Sequence, residues 1–88
     1  MDSRSTRITS EQMRAARGLL GWTQQDLAGK SEISIATVKR LEAEAGPLGG
    51  LKITATAIRR AFEDAGVVFI DANGGGAGVR FRDPPPSL

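Results

Sequence analysis

The sequence predicts a small, mostly α-helical domain of four helices with a β-hairpin at its carboxyl end. Three stretches begin with a hydroxyl-bearing residue suited to cap a helix and continue with apolar residues at helical spacing. Two short apolar runs follow, separated by a glycine-rich segment. With 88 residues, of which 40% are hydrophobic and 25% are charged, the chain has room for one domain with a modest core.

The first helix is predicted to begin after Thr9, because Thr9 and Gln12 have the spacing of a capping box. Ile8, just before the cap, can pack onto this helix as a hydrophobic staple. Gly21 is suited to end the helix. The preceding residues 1–8 are polar except at their ends, and we predict that they form a flexible arm.

Residues 23–42 have the pattern of two short helices joined by a tight turn. Thr23 can cap a helix that begins at Gln24, and Ser34 can cap one that begins at Ile35. Helices this short are unstable alone in water, so their small apolar faces must pack against each other and against the rest of the chain. The residues on those faces are Leu27, Ala28, Val38 and Leu41. This is the pattern of a helix-turn-helix.

The carboxyl half is predicted to contain one more helix and two strands. Apolar residues share one stripe of a helix from about Thr54 to Ala65. Residues 67–70 and 79–82 have the composition of short strands, and residues 71–78 between them are rich in glycine. Residues 83–88 include three prolines, so they can neither pair in a sheet nor continue a helix, and we predict a disordered tail.

The helix-turn-helix pattern resembles the Xre/Cro-like family of phage repressors and bacterial transcriptional regulators. The resemblance covers about residues 8–65, and its motif residues are Thr23-Gln24-Gln25-Asp26-Leu27-Ala28, Ile33-Ser34, Thr37-Val38 and Leu41-Glu42. The family usually has glycine where Glu32 stands and a bulky apolar residue where Ser31 stands. A non-glycine residue at positive φ costs about 1 kcal/mol, so we expect the turn to depart from the family's shape.

The resemblance implies a compact, four-helix, lambda-repressor-like domain that binds DNA. Together with the residue patterns on either side of it, this divides the chain into a flexible arm at residues 1–8, a helix-turn-helix DNA-binding domain at residues 9–65, a β-hairpin at residues 66–82 that is a possible dimerisation element, and a disordered tail at residues 83–88.

In such a domain the second motif helix enters the major groove and the first lies across the DNA backbone. The candidates for reading bases are therefore the exposed residues of the second helix, namely Ile35, Ala36, Thr37, Lys39 and Arg40. Ile35 and Ala36 are suited to contact thymine methyl groups, while Lys39 or Arg40 can donate to guanine. For Ile35 the alternative is packing in the core.

Phosphate contacts are expected around the amino end of the first motif helix, where free amides and the helix dipole favour an anion. The candidates are Thr23, Gln24, Arg14 and Lys52, and Arg4 and Arg7 of the arm can also reach DNA. For Arg14 and Lys52 the alternative is an ordinary exposed cation. Such contacts set affinity and register without reading the base sequence.

The resemblance also implies an ion pair between Arg17 and Glu42 that ties the first helix to the motif. An arginine can engage a carboxylate through two parallel hydrogen bonds, which would hold the reading helix at a fixed angle. The alternative is that each side chain is merely solvated.

A homodimer is expected because one short reading helix covers too few base pairs to be selective in a genome. The hairpin has more apolar residues than a small helical body covers easily, and two strands alone are marginally stable. The candidates for contact between subunits are Val67, Val68, Phe69, Ile70, Val79 and Phe81. The alternative is a hairpin that packs on the fourth helix of its own chain.

The sequence therefore favours a sequence-specific regulator of transcription that binds double-stranded DNA, most simply a repressor. The formal charge is +3 over residues 1–40 and −1 over residues 41–88. This imbalance fits a DNA-facing surface, although an ordinary solvated exterior shows the same pattern. The alternative function is a protein-binding adaptor or antitoxin that uses the same fold to engage a protein partner.

Several other classes of function are disfavoured by composition. The chain contains no histidine and no cysteine, so we expect no metal site, no cofactor, no disulfide and no activated nucleophile, and hence no enzyme. The glycine run lacks the dinucleotide-binding pattern because Val79 stands at its last glycine position and a strand follows. The sequence also lacks a long apolar run and a signal segment, which predicts a cytoplasmic protein with no membrane partner.

Overall fold

A computed structural model of the chain describes residues 7–84. The elements in chain order are α1 (Ser10–Leu20), α2 (Gln24–Ser31), α3 (Ile35–Ala43), α4 (Lys52–Asp64), β1 (Val67–Ile70) and β2 (Gly78–Phe81). The two strands form one antiparallel hairpin, and the radius of gyration is 12.7 Å, as expected for a compact domain of this size. The prediction of a mostly helical domain of four helices with a carboxyl-terminal hairpin is thus confirmed. None of these helices has the length and hydropathy needed to cross a membrane.

Local capping begins the first three helices at the predicted residues. The Thr9 hydroxyl accepts a hydrogen bond from the Gln12 backbone N–H at 3.0 Å, and Gln12 Oε1 accepts one from the Thr9 N–H at 2.9 Å. Thr23 and Asp26 form the same reciprocal pair, and Ser34 caps α3. Each cap satisfies amides of the first turn that have no partner inside the helix.

The connection between α2 and α3 depends on Glu32, which has a φ of 60° and is the one non-glycine residue at positive φ within residues 7–84. Its N–H donates to the Ala28 carbonyl and ends α2. Ser31, just before it, is buried and donates its hydroxyl to the Leu27 carbonyl at 2.7 Å. The turn therefore keeps the left-handed conformation suited to glycine, at a cost of about 1 kcal/mol.

The core joins all four helices to the hairpin. Its largest fully buried side chains are Phe62, Ile8, Met13, Leu27, Leu41, Ile58, Val38 and Val67. The Trp22 ring stacks on Phe62 at a centroid distance of 5.5 Å, and Phe69 meets Phe62 edge to face at 5.9 Å. Trp22 is therefore a packing residue, because one face of its ring is covered by Phe62.

The predicted boundary of the flexible arm, at residue 8, is wrong, because Arg7 and Ile8 belong to the folded domain. Ile8 is only 2% exposed and belongs to the core, and its carbonyl accepts a hydrogen bond from the Leu48 N–H at 3.0 Å. Arg7 donates to the Leu48 carbonyl at 2.8 Å. The loop before α4 thus fixes both residues. Residues 1–6, with Arg4, and residues 85–88 of the predicted tail lie outside the described part of the chain.

The hairpin packs inside its own chain, with β1 against α4 and β2 against α1. Gln12 links α1 to the hairpin, because its Nε2 donates to the Ile70 carbonyl at 3.2 Å and to the Gly78 carbonyl at 3.0 Å. The second strand begins one residue earlier than predicted, and α4 begins at Lys52 rather than at about Thr54. These shifts leave the predicted order of elements unchanged.

Candidate nucleic-acid interface

The α3 helix has one buried face and one exposed face. Val38 and Leu41 point into the core with exposures of 0% and 2%. Ala36, Lys39 and Arg40 are exposed. Three of the five predicted base-reading residues therefore lie on the solvent side of α3, and two of them are cations.

The other two predicted base-reading residues are partly engaged with the domain itself. Ile35 is half-buried and packs against the core, so the packing alternative applies to part of its side chain. Thr37 is half-buried, and its hydroxyl accepts a hydrogen bond from the capping Ser34 hydroxyl at 2.9 Å. Of the five predicted base-reading residues, only Ala36, Lys39 and Arg40 are therefore fully exposed.

Glu42 lies at the centre of a hydrogen-bonded group that joins α1, α2 and α3. Arg17 donates through Nε to Glu42 Oε2 at 2.6 Å and through Nη2 to Oε1 at 2.9 Å. The Glu42 side chain is 4% exposed and the Arg17 side chain 22%. Gln24 Nε2 donates to Glu42 Oε1 at 3.1 Å. The predicted partners Arg17 and Glu42 thus meet in a bidentate pair that excludes most water.

The contact with Glu42 changes the pKa of the Arg17 guanidinium, and Arg17 makes one further contact near α2. The hydrogen bonds to Glu42 raise the pKa of Arg17 above its ordinary value, and burial opposes this effect. The remaining Arg17 amine, Nη1, donates to the Trp22 carbonyl at 2.9 Å, just before α2 begins. Arg17 therefore contacts both the entry to α2 and the last turn of α3.

The predicted phosphate residues are mostly committed to contacts within the chain. Arg14 Nη1 donates to the Glu42 backbone carbonyl at 2.6 Å, near the carboxyl end of α3, where a cation also complements the helix dipole. The Gln24 amide donates to Glu42 Oε1, and the Thr23 hydroxyl caps α2. Arg14 and Gln24 are thus brought together around Glu42. Lys52 is exposed at the start of α4, and no hydrogen bond or ion pair within residues 7–84 joins it to that group.

The hairpin residues divide between the core and the surface. Val67 and Phe69 are 1% and 8% exposed and pack inside their own domain, as in the alternative of a hairpin that packs on its own chain, and their role in a contact between subunits stays a prediction. Strand alternation turns them inward onto the helices. Val79 is half-buried and also packs against the core, whereas Val68 is half-buried, and Ile70 and Phe81 are 39% and 37% exposed.

Two exposed apolar residues were not anticipated from the sequence. Leu51 and Ile53, on either side of Lys52, are 70% and 75% exposed. The only signal for them is that they precede the buried stripe of α4, which begins at Ala55. Apolar spacing at the start of a helix is the same whether the residues are buried or exposed. The sequence alone therefore does not show that Leu51 and Ile53 are exposed.

Neither of two surface cavities includes α3. One of about 230 Å³ is lined by Trp22, Lys30, Ala61, Asp64 and Ala65. The other, of about 210 Å³, is lined by Arg7, Thr9, Gln12, Asp71, Ala72 and Ala77. In the stretch from residue 7 to residue 84, no group of three or more acidic side chains is placed to hold a metal ion.

No protein-family model matches the chain, and no curated protein matches it.

Proposed function

We propose that the chain is a sequence-specific, double-stranded DNA-binding regulator of transcription, acting as a homodimeric repressor. In this proposal α2 and α3 form the helix-turn-helix of a lambda-repressor-like domain, and α3 is the helix that enters the major groove. The sequence resemblance and the placement of the α3 side chains support it.

The observation that carries the proposal is the contrast between the exposed face and the buried face of α3. Its exposed cations, Lys39 and Arg40, are free to meet a nucleic acid, while the adjacent Glu42 is buried and held by Arg17 and Gln24. A reading helix must present its side chains at a fixed angle, since small displacements misalign hydrogen bonds to base edges. The Glu42 group supplies that rigidity from three helices.

The chemistry of the exposed residues supports a mixed readout. Arg40 and Lys39 can donate to guanine O6 and N7, and the Ala36 methyl group can contact a thymine methyl group. The exposed part of Ile35 can extend this apolar contact, while Thr37 mainly completes the cap of α3. Phosphate contacts from Thr23, Gln24, Arg14 and Lys52 would position the domain without selecting a sequence.

The test begins with selection of bound duplexes from a random-oligonucleotide pool, followed by fluorescence anisotropy titrations on the selected site. Arg40→Ala is expected to weaken binding to that site by about 1 to 3 kcal/mol and to relax the preference at one base pair. Arg60→Ala is the matched control, because Arg60 is an exposed arginine on α4. If Arg40→Ala leaves both the selected sequence and the affinity unchanged, α3 is not the reading helix.

The alternative function, an adaptor or antitoxin that binds a protein, is favoured by one observation. Leu51 and Ile53, which flank Lys52 in the chain, expose 70% and 75% of their surface, and exposed apolar surface is common where proteins meet. A salt titration separates the two functions, because binding to random duplex must weaken steeply as salt rises if the chain neutralises phosphates. An adaptor would show no duplex binding at low salt.

A further inference from the structure

The loop between the two strands contains the only asparagine of the chain, Asn73, and a glycine, Gly74, directly follows it. The loop comprises residues 71–77, and every one of these residues is exposed. Gly74 has a φ of 84°, a left-handed conformation that glycine adopts without steric cost. The asparagine therefore lies in a turn that is open to solvent.

The domain holds neither the Asn73 side chain nor the nitrogen of the peptide bond that follows it. In the described part of the chain, residues 7–84, no hydrogen bond engages the Asn73 side chain or the Gly74 backbone N–H. A Cβ atom at Gly74, Gly75 or Gly76 would meet no atom within 4 Å apart from those of its chain neighbours. The Asn73 side chain can therefore turn toward the Gly74 nitrogen without displacing another part of the domain.

This pair of residues has an intramolecular reaction open to it, because the two reacting atoms belong to adjacent residues. The Gly74 nitrogen, after losing its proton to base, attacks Cγ of Asn73 and forms a new C–N bond. The bond from Cγ to Nδ2 breaks, ammonia leaves, and a five-membered succinimide ring remains. Water then opens the ring. Attack at Cγ gives aspartate, whereas attack at the backbone carbonyl carbon gives isoaspartate, in which the main chain passes through the former side chain.

The residue types select Asn73 over the other amides of the chain. Ring closure brings the nitrogen of residue 74 up to the asparagine side chain, and glycine has no Cβ atom to crowd that approach. A glutamine must close a larger, six-membered ring, and none of the three glutamines precedes a glycine. Two of them, Gln12 and Gln24, also donate hydrogen bonds within the domain.

We infer that Asn73 is a site of spontaneous deamidation in the folded protein, which reacts there at a rate close to that of the unfolded chain. The reaction replaces a neutral amide by a carboxylate and lowers the formal charge of +2 by one unit. The ends of the loop are fixed from outside it, because Gln12 donates to the Ile70 and Gly78 carbonyls. The change therefore stays within the loop and is independent of the proposed function.

The test follows the full chain at mildly alkaline pH with and without guanidinium chloride. Ion-exchange chromatography separates the more acidic form, and peptide mass mapping locates the change. Trypsin cuts after Arg60 and Arg80, and the fragment of residues 61–80 contains Asn73 and no glutamine. A change of mass in that fragment therefore reports on Asn73 alone among the amide side chains.

The comparison of the two rates tests the contribution of the structure. The native rate is expected to lie within about tenfold of the rate in guanidinium chloride, because the loop has no hydrogen bond at Asn73 or at the Gly74 N–H to lose on unfolding. A native rate below this range would overturn the inference, since it would show that the fold protects Asn73.

Two alanine substitutions in the same loop test the route. Gly74→Ala adds a Cβ atom beside the attacking nitrogen and should slow deamidation by about tenfold or more. Gly75→Ala is the matched control, because its Cβ atom also has open space around it but is not attached to the attacking residue. Circular dichroism verifies that both variants remain folded. Equal rates in the two variants would contradict ring closure through the Gly74 nitrogen.

A third variant and the identity of the products complete the test. Asn73→Gln should form no acidic species on the time scale of the native chain, and an unchanged rate in this variant would place the modification elsewhere. The native fragment should contain both aspartate and isoaspartate, because both arise from the succinimide. Aspartate alone would indicate direct hydrolysis and contradict the ring intermediate. The purified acidic form should keep the native circular dichroism, and a loss of helix would contradict a change confined to the loop.

Discussion

Gln24 at the start of α2 donates a hydrogen bond of 3.1 Å to Glu42 in the last turn of α3. The same Glu42 oxygen, Oε1, also accepts a hydrogen bond from Arg17 Nη2 at 2.9 Å. A single buried oxygen is therefore shared by a neutral donor and a cationic donor from different helices. The Gln24 amide therefore contributes to the orientation of α3 through a contact within the chain itself.

Replacement of Gln24 by alanine is expected to have two separable effects. The loss of one hydrogen bond to a buried carboxylate should lower the free energy of unfolding by about 1 to 3 kcal/mol, measured by urea denaturation. If Gln24 also contacts phosphate, its loss should weaken binding to all duplexes to a similar extent, because phosphate contacts carry no sequence information. Gln25→Ala, at an exposed neighbouring position, is the control, and equal stability of the two variants would contradict the role of the Glu42 bond.

The bidentate contact between Arg17 and Glu42 predicts strong coupling between the two residues. Removal of either partner alone leaves a largely buried charge, so Arg17→Met or Glu42→Leu should each cost about 3 to 5 kcal/mol. The double variant should lose much less than the sum of the two. A double-mutant cycle from urea unfolding measures this coupling, and a coupling energy of zero would show that the pair does not hold the helices together.

Glu32→Gly is expected to stabilise the chain. The backbone at this position has a φ of 60°, which glycine adopts without steric cost, although glycine also gains freedom in the unfolded state. The balance should favour glycine by about 0.5 to 1 kcal/mol, visible as a higher Tm. Glu44→Gly is a matched control at an extended position with a φ of −98°, and it should destabilise; a lower Tm for Glu32→Gly would show that the strain is absent.

Acid should weaken the fold partly through Glu11. Hydrogen bonds from its own backbone N–H and from the Gly46 N–H, the latter at 3.1 Å, hold the pKa of Glu11 below its ordinary value of 4.5. Because the folded pKa is the lower one, the contribution of Glu11 to stability is complete above pH 4.5 and disappears as the pH falls through the folded pKa. Tm measured from neutral pH to about pH 3 should therefore decline less steeply in Glu11→Gln. A native slope in Glu11→Gln would contradict this role.

The features that were predicted from the sequence are mostly local. The caps at Thr9, Thr23 and Ser34 require only a side chain and amides within three residues, so the starts of α1, α2 and α3 follow from the sequence itself. The start of α4 was less accurate because Leu51, which precedes it, provides no side-chain cap. Without a capping side chain, the residue at which α4 begins is set by the path of the preceding loop, which the local sequence does not show.

The features that were missed depend on contacts between distant parts of the chain. The packing of Ile8 was anticipated from the staple pattern, but its backbone pairing with Leu48 was not, because nothing in residues 1–8 encodes the position of that loop. Phe69 is buried against the ring of Phe62 on α4, and the sequence alone did not decide between this packing and a contact between subunits. For the candidate site, the pairing of Arg17 with Glu42 was anticipated from the resemblance, whereas the contributions of Gln24 and Arg14 to the same group required the structure.

The double use of the Gln12 amide couples two regions that are far apart in the chain. Its Oε1 completes the cap of α1, and its Nε2 holds the Ile70 and Gly78 carbonyls at the loop end of the hairpin. When the hairpin separates from the body, Gln12 loses the two partners that fix its side chain, and the first turn of α1 loses a well-placed acceptor. Amide protons in the hairpin and at the start of α1 should therefore exchange with solvent in one cooperative opening rather than independently.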